Sequence, residues 1–440
     1  MDRGDAFIRY GFKAGRVWRP GRIFMVCVLA LLICFRCARP AATEITIDFW
    51  AMGVEARYVQ EIVPRFEREN PGIKVRVQSI PWLSAHEKLL TAFAGNSTPD
   101  LCQLGNTWIP EFTALEALEA LEVYVEKSTE IDSTQYFSGI WQTNIIDQNL
   151  YGIPWYVDTR LLFYRSDIFK ELGYSTAPET WPEFLELSRK IVAQRKTEYA
   201  ILLPLNGWHE FVIIALESGS RLLREEDCYG DFENPAFRRA FEFYLHFYEE
   251  GLCPKGMTEV SNIYQSFAEN YFAIYITGPW NLGEYRDRLP QSMQDRWTTA
   301  PMPAFGEAGP GLSTAGGSSV VMFRNSPHKE AVWRLMEFLA HADVQAEFYR
   351  LSGDLPANIV AWDLVGLREN PRTEAFYRQL QKVVPTPKIP EWEQIANKIQ
   401  QYVESVVFGE LTVAEAGRAL NRDVDNLLDK RRWLRSRKEP

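Results

Sequence analysis

The chain has 440 residues, 46% hydrophobic and 24% charged, which suits two or three folding units and excludes a disordered chain. A net charge of −10 excludes a nucleic-acid binder, because a phosphate backbone must be met by a basic surface. The basic stretch Lys430, Arg431, Arg432, Arg435, Arg437 and Lys438 reads as a solvated helix end whose cations suit the macrodipole, with membrane or partner contact as the other reading.

Residues 23–35, "IFMVCVLALLICF", carry no charge and follow Arg16, Arg19 and Arg22. This run is too short to span hydrocarbon, which takes about 20 residues as a helix. A basic flank before a short apolar run is the layout of an export signal, so residues 1–42 are expected to be a signal peptide or N-terminal membrane anchor. Cleavage near Ala38 to Ala42, or lipidation at Cys34 or Cys37, would then place the body in the periplasm or on the extracellular face of the membrane. Ile33 and Arg36 stand where a lipidation site usually has a small residue. Cys27, Cys34 and Cys37 fall in this leader. Of the rest, Cys228 and Cys253 either bridge or stay free, and Cys102 in "PDLCQL" is expected to pack as a small buried hydrophobe.

Downstream, strand and helix signals alternate. "EITIDFWAM" (44–52) reads as a strand, "VEARYVQEIVPRFEREN" (54–70) as a helix stopping at Pro71-Gly72, and "IKVRVQSIPW" (73–82) as an alternating strand. "AHEKLLTAFAGN" reads as a helix ending at Gly95, and "TPDLCQLG" as a short strand. Such a β-α-β-α-β run predicts a parallel sheet covered by helices, with ligands bound beyond the carboxyl ends of its strands. That rule singles out "WAMGVE", "SIPW", "LGNTW" and "YGIPWYVD".

The second half continues in the same manner. Thr180-x-x-Glu183 opens a helix with a capping box, and Trp181 is expected to be a packing residue. "FAIYITGPW" (272–280) reads as an aromatic-rich strand, and "GLSTAGGSSVVMF" (311–323) as a Gly- and Ser-rich loop entering a strand. Ser326-Pro327 is expected to open a helix through Phe338. Two further helices break at Gly409, the second opening with Thr412-x-x-Glu415. Trp333 and Trp392 lie in helical patterns and are expected in the core.

Catalytic and cofactor motifs are wanting. The sequence has no P-loop, no G-x-G-x-x-G and no G-x-S-x-G. His86, His209, His246, His328 and His341 show no metal-ligand spacing, so no metal or cofactor is expected. Asp and Glu total 58, and counting alone cannot exclude a glycosidase pair. The fourteen tryptophans are more informative, because several stand beside Gly or Pro at strand ends: Trp82, Trp108, Trp155, Trp208 and Trp280. An indole offers flat apolar area that matches the C–H face of a pyranose, while Asp, Asn and Glu bond its hydroxyls.

In order, "FERENPGIKVRVQSIPW", "TPDLCQLGNTW", "YGIPWYVDTRLLFYRSDIFKELGYSTAPETWPEF", "GPW", "APMPAFGEAGPGLSTAGGSSVVMF" and "SGDLPA" resemble the extracellular solute-binding proteins of family 1, which feed carbohydrate-importing ATP-binding cassette transporters. The resemblance covers nearly all of residues 44–425. One departure is "AENYFAIYIT" before Gly-Pro-Trp, where the family usually has a Gly-Lys-Ala-Ala-Met run.

The resemblance implies an α/β fold of two lobes, the type II periplasmic-binding-protein-like architecture. Each lobe is a mostly parallel sheet flanked by helices, with hinge crossings between lobes. It implies one lobe of 43–154 plus 309–351 and another of 155–308 plus 352–440. It further implies a monomer that binds a mono- or oligosaccharide without catalysis, closes about the hinge and meets permease subunits of an importer. On this analogy Pro154 stiffens the crossing, Trp155 and Tyr156 face the cleft, Asp158 accepts sugar hydroxyls, and Trp280 stacks on the ring with Gly278 allowing close approach. Trp50, Trp82, Asn106 and Trp108 come from the first lobe, Trp208 and Glu210 from the second, and Gly316 and Gly317 from the returning crossover. An exported glycosidase or lyase, and a non-transporting sugar sensor, are the alternatives.

Overall fold

In the computed structural model, which describes residues 44–256 and 262–437 together with Gly11, β1 (Ile45–Met52) buries Ile47, Phe49 and Ala51 on one face, the period of two that a strand imposes. It leads into α1 (Glu55–Glu69), whose helical spacing buries Ala56, Val59, Ile62, Val63 and Phe66. Then come β2 (Ile73–Ile80), α2 (Trp82–Ala94) and β3 (Leu101–Gly105). β2 and β3 flank β1 in parallel, as the alternating pattern requires. The leader, with its cleavage and lipidation candidates and Cys27, Cys34 and Cys37, lies outside the described residues, as does Lys438.

The remaining frame is β4 (Ile153–Asp158), β5 (Leu161–Arg165), α3 (Trp181–Ala193), β6 (Tyr199–Leu202), α4 (His209–Glu217), α5 (Pro235–Glu249), β7 (Phe272–Thr277), α6 (Trp280–Arg288) and β8 (Trp297–Ala300). It closes with β9 (Gly316–Met322), α7 (Lys329–Ala340), α8 (Ala342–Ser352), β10 (Leu355–Pro356), α9 (Pro371–Leu380), α10 (Trp392–Val407), α11 (Val413–Leu427) and α12 (Asp429–Ser436).

Two sheets organise these elements, one in the order β10-β4-β9-β3-β1-β2 and the other β8-β5-β7-β6. In the first, β1 to β4 run one way while β9 and β10 oppose them. In the second, β6, β7 and β8 run one way and β5 opposes them. The reversed interior strand of each sheet, β5 or β9, is the one that enters directly from the other sheet, so its direction is set by the crossing.

The chain passes between the sheets at 159–160, at 301–315 and after Pro356, where α9 packs on β8. The first two passages are tied together: Thr159 Oγ1 donates to the Thr314 carbonyl at 3.0 Å, and Ser313 Oγ donates to the Arg160 carbonyl at 2.8 Å. The first sheet holds the chain to Asp158 and takes it back to Pro356, a few residues beyond the expected division points at 154 and 351.

The cap expected at Thr412 is complete, Thr412 and Glu415 forming a reciprocal capping box. At Thr180 half of the expected box forms: the Thr180 side chain accepts from the Glu183 amide. Trp181, Trp333 and Trp392 are buried. The Ser326-Pro327 start is a correction, because that helix begins at Lys329. Ser326 Oγ instead donates to Asp100 Oδ1 at 2.6 Å and accepts from the His328 amide. Trp280 begins α6 and does not end a strand. Cys102, Cys228 and Cys253 are all buried free thiols, so no Cys228–Cys253 bridge forms.

Candidate ligand-binding cleft

The carboxyl ends of β1, β3 and β4 and the starts of α1, α2, α4, α6 and α10 converge on one cleft of about 500 Å³. Each element delivers its functional side chain within a residue or two of its end. β1 turns at Gly53 into Glu55, the first residue of α1, and Pro81 precedes Trp82, the first residue of α2. A single 3-10 turn after β3 carries Asn106, Thr107 and Trp108. α4 contributes His209, with Trp208 at its cap, and α6 contributes Trp280.

The aromatic walls are braced from behind. Trp108 meets the edge of Trp82 at 5.7 Å and His86 at 5.1 Å. His86 is itself held by Glu111 at 2.6 Å, which raises its pKa. Across the cleft, Trp208 stacks on His209 at 3.7 Å and abuts Trp392 edge-on at 5.3 Å. Trp280 stays 44% exposed, with the Arg160 guanidinium over its ring at 4.5 Å. A Cβ at Gly278 would stand 1.9 Å from that ring, so only glycine lets the indole fold back there.

Polar groups meet at Tyr156. Its hydroxyl accepts from Gln103 Nε2 at 2.9 Å and from Ser318 Oγ at 2.9 Å, and donates to Glu55 Oε1 at 3.3 Å. That uses the full capacity of a phenol. Trp82 Nε1 also donates to Glu55 Oε1, at 3.4 Å. Glu55 Oε2 and Asn106 Nδ2 are buried without a partner, and buried polar atoms are rarely left so. One is an acceptor and the other a donor, and both residues line the cleft.

The electrostatics are those of a carboxylate-lined, low-cation space. Glu55, Asp158, Asp354 and Glu393 all line it. Burial raises the pKa of Glu55. Asp354 is pushed up to about 7, first by burial and then by the charges of Glu55 and Asp158. His209 is driven well below its ordinary value by burial, with Arg160 adding to the effect, so it serves as a neutral surface. Asp158 is ion-paired to Arg160 at 2.7 Å. Among the described residues no group of His, Cys, Asp or Glu is placed to hold a metal ion.

Of the residues singled out from sequence, Trp82, Asn106, Trp108, Tyr156, Asp158, Trp208, Trp280, Gly316 and Gly317 line the cleft. Gly278 lies beneath Trp280. Gly317 has φ +119°, and a Cβ there would fall 2.3 Å from the Tyr156 carbonyl, so glycine lets β9 press against β4 beside the bulge at Ser318 and Ser319.

Three residues are corrections. Trp155 is 1% exposed and packs on Phe348 at 4.4 Å. Alternation along β4 sends it away from the cleft once Tyr156 faces in. Trp50 packs at a satellite core under Lys88 Nζ, 5.0 Å above its ring. Glu210 is buried outside the cleft lining, and burial raises its pKa. Sequence reasoning missed Glu55, Thr107, His209, Pro279, Ser318, Asp354 and Glu393. Glu55 and Asp354 stood within the motifs "WAMGVE" and "SGDLPA", whereas Glu393 reaches the cleft only through the long return of α10.

A family model described as bacterial extracellular solute-binding protein matches residues 53–346. The sugar-binding protein MalE of the phytopathogen Xanthomonas citri superposes with TM-score 0.86 at 46% identity, over 89% of this chain and 99% of that one. A maltodextrin-binding protein of Bacillus subtilis is 24% identical, over 85% of this chain and 88% of its own. A diacetylchitobiose-binding protein of Streptomyces coelicolor is 23% identical, over 83% and 85%.

Proposed function

The chain belongs to the bacterial extracellular solute-binding protein family, and from that premise we propose that the cleft binds a carbohydrate for delivery to an ABC-type importer. The observation that carries this is the pairing of aromatic walls with partnerless polar atoms. Trp82, Trp108 and Trp280 surround a space into which Glu55 offers an unused acceptor and Asn106 an unused donor. Flat apolar surface beside unmet hydrogen-bonding groups suits a sugar ring with its hydroxyls. The relatives named for sugars, maltodextrin and diacetylchitobiose support the same ligand class.

On this reading the lobes are 45–158 with 316–356, and 161–300 with 371–437. They rotate about the tied passages at 159–160 and 301–315. Ligand favours the closed form only by the contacts that it makes there and not in the open form, and the membrane permease reads that closed form. Residues 1–42 would export or anchor the chain. Calorimetric titration with a panel of neutral mono- and oligosaccharides tests the proposal. Saturable heat with at least one member, and unchanged sugar recovered by chromatography, is the expected outcome. A panel without any binder overturns it, and shortened or unsaturated products would assign the cleft carboxylates to glycosidase or lyase chemistry.

A further inference from the structure

The helix α12 (Asp429–Ser436) takes no part in the cleft, and its two faces differ in kind. One face is fastened to the body. Arg432 donates to the Cys228 carbonyl at 3.0 Å and the Asp425 carbonyl at 2.7 Å, lies 4.7 Å over the Tyr229 ring, and Arg435 pairs with Glu226. The opposite face holds Lys430, Trp433, Leu434 and Arg437, spaced i, i+3, i+4 and i+7, which is one stripe of a helix. Trp433 is 52% and Leu434 45% exposed, and the Arg437 guanidinium caps the indole at 4.0 Å.

An indole and a leucine held in water between two cations form neither a core nor a purely solvated face. We propose that this stripe is an interfacial docking surface for a bilayer containing anionic phospholipid. Basic side chains meet the headgroups, while the indole and the leucine enter the headgroup boundary. Charge complementarity favours this occupant. The chain as a whole is at −10, so an anionic surface repels most of it, yet Lys430 to Arg437 holds five cations, of which two, Arg432 and Arg435, are paired with Asp429 and Glu226. The two arginines on the inner face fix the stripe's outward aim.

Hydrogen–deuterium exchange of the full chain tests the proposal with vesicles of phosphatidylcholine alone or with about one quarter phosphatidylglycerol. Amides of 429–436 are expected to exchange roughly fivefold more slowly with the anionic vesicles only, and raised salt should erase the difference. K430E/R437E, which alters exposed positions, should lose the protection while keeping the sugar response and melting temperature of the parent. Trp433→Ser should lose most of it. Membrane attachment through the N-terminal segment would leave 429–436 unchanged and overturn the proposal. Equal protection by neutral vesicles would also overturn it, as would protection by an acidic polypeptide without lipid, which would assign the stripe to a protein partner.

Discussion

The Tyr156 hydroxyl donates to Glu55 Oε1 at 3.3 Å while its own oxygen accepts from Gln103 Nε2 and Ser318 Oγ. Strands β3, β4 and β9 are thereby joined to the start of α1 through one atom. Tyr156→Phe removes the acceptor shared by two buried donors and leaves Glu55 Oε1 with the longer bond from Trp82 Nε1. It should destabilise the protein by about 1–3 kcal/mol, read as a lower urea midpoint, and weaken sugar binding by freeing Glu55 to turn. An unchanged midpoint would show that the phenol is dispensable.

Trp280 and Trp155 should separate binding from stability. Trp280 is half exposed with one face braced by Arg160. Trp280→Ala should therefore cost ~1–3 kcal/mol of affinity, as for other planar stacking partners, with little change in melting temperature. Trp155 is enclosed by Phe49 and Phe348. Its replacement by alanine should cost about 3–5 kcal/mol of stability and leave the affinity of the folded fraction nearly intact.

Gly278→Ala tests the support beneath that indole. The new methyl would overlap the ring, so Trp280 must swing away. Calorimetry should find affinity reduced toward that of Trp280→Ala while circular dichroism stays native. Full affinity would mean that the indole finds another seat.

The pH dependence has a definite sign. Asp354 titrates near 7 when folded against an ordinary 3.8, so between these values the native state holds more protons than the unfolded chain. Stability from this group is fully present below about 3.8 and is lost progressively as pH rises from there to about 7. Glu55, also raised by burial, acts in the same direction. Asp354→Asn should flatten the stability profile over this window, and an unaltered slope would place the titrating group elsewhere.

Much of the fold was legible because its signals are local. The alternation in 45–52, the helical spacing in 55–69 and the caps at Thr180 and Thr412 each depend on neighbours within a few residues. The site was legible only at strand ends, where the carboxyl-end rule applies. It failed for Trp155 because aromatic neighbours on a strand point to opposite faces, and nothing local says which faces the ligand. It failed for Asp354 because its approach depends on β10 pairing with the distant strand β4, and for Glu393 because its approach depends on the third passage. The crossing strands were legible, but their reversed direction was not, since that follows from which sheet they leave.

Arg160 sits in the first passage between the sheets, bonded to Asp158 on one side and spread over the Trp280 indole on the other. Its carbonyl also takes the Ser313 hydroxyl from the second passage. On the proposed reading, recognition and motion share a single residue: tilting the indole to suit a new guest would load the pivot itself, and stiffening the pivot would re-aim the indole. Ligand preference and the ease of swinging shut would then be inherited together, and altering one without the other would demand compensation at position 160.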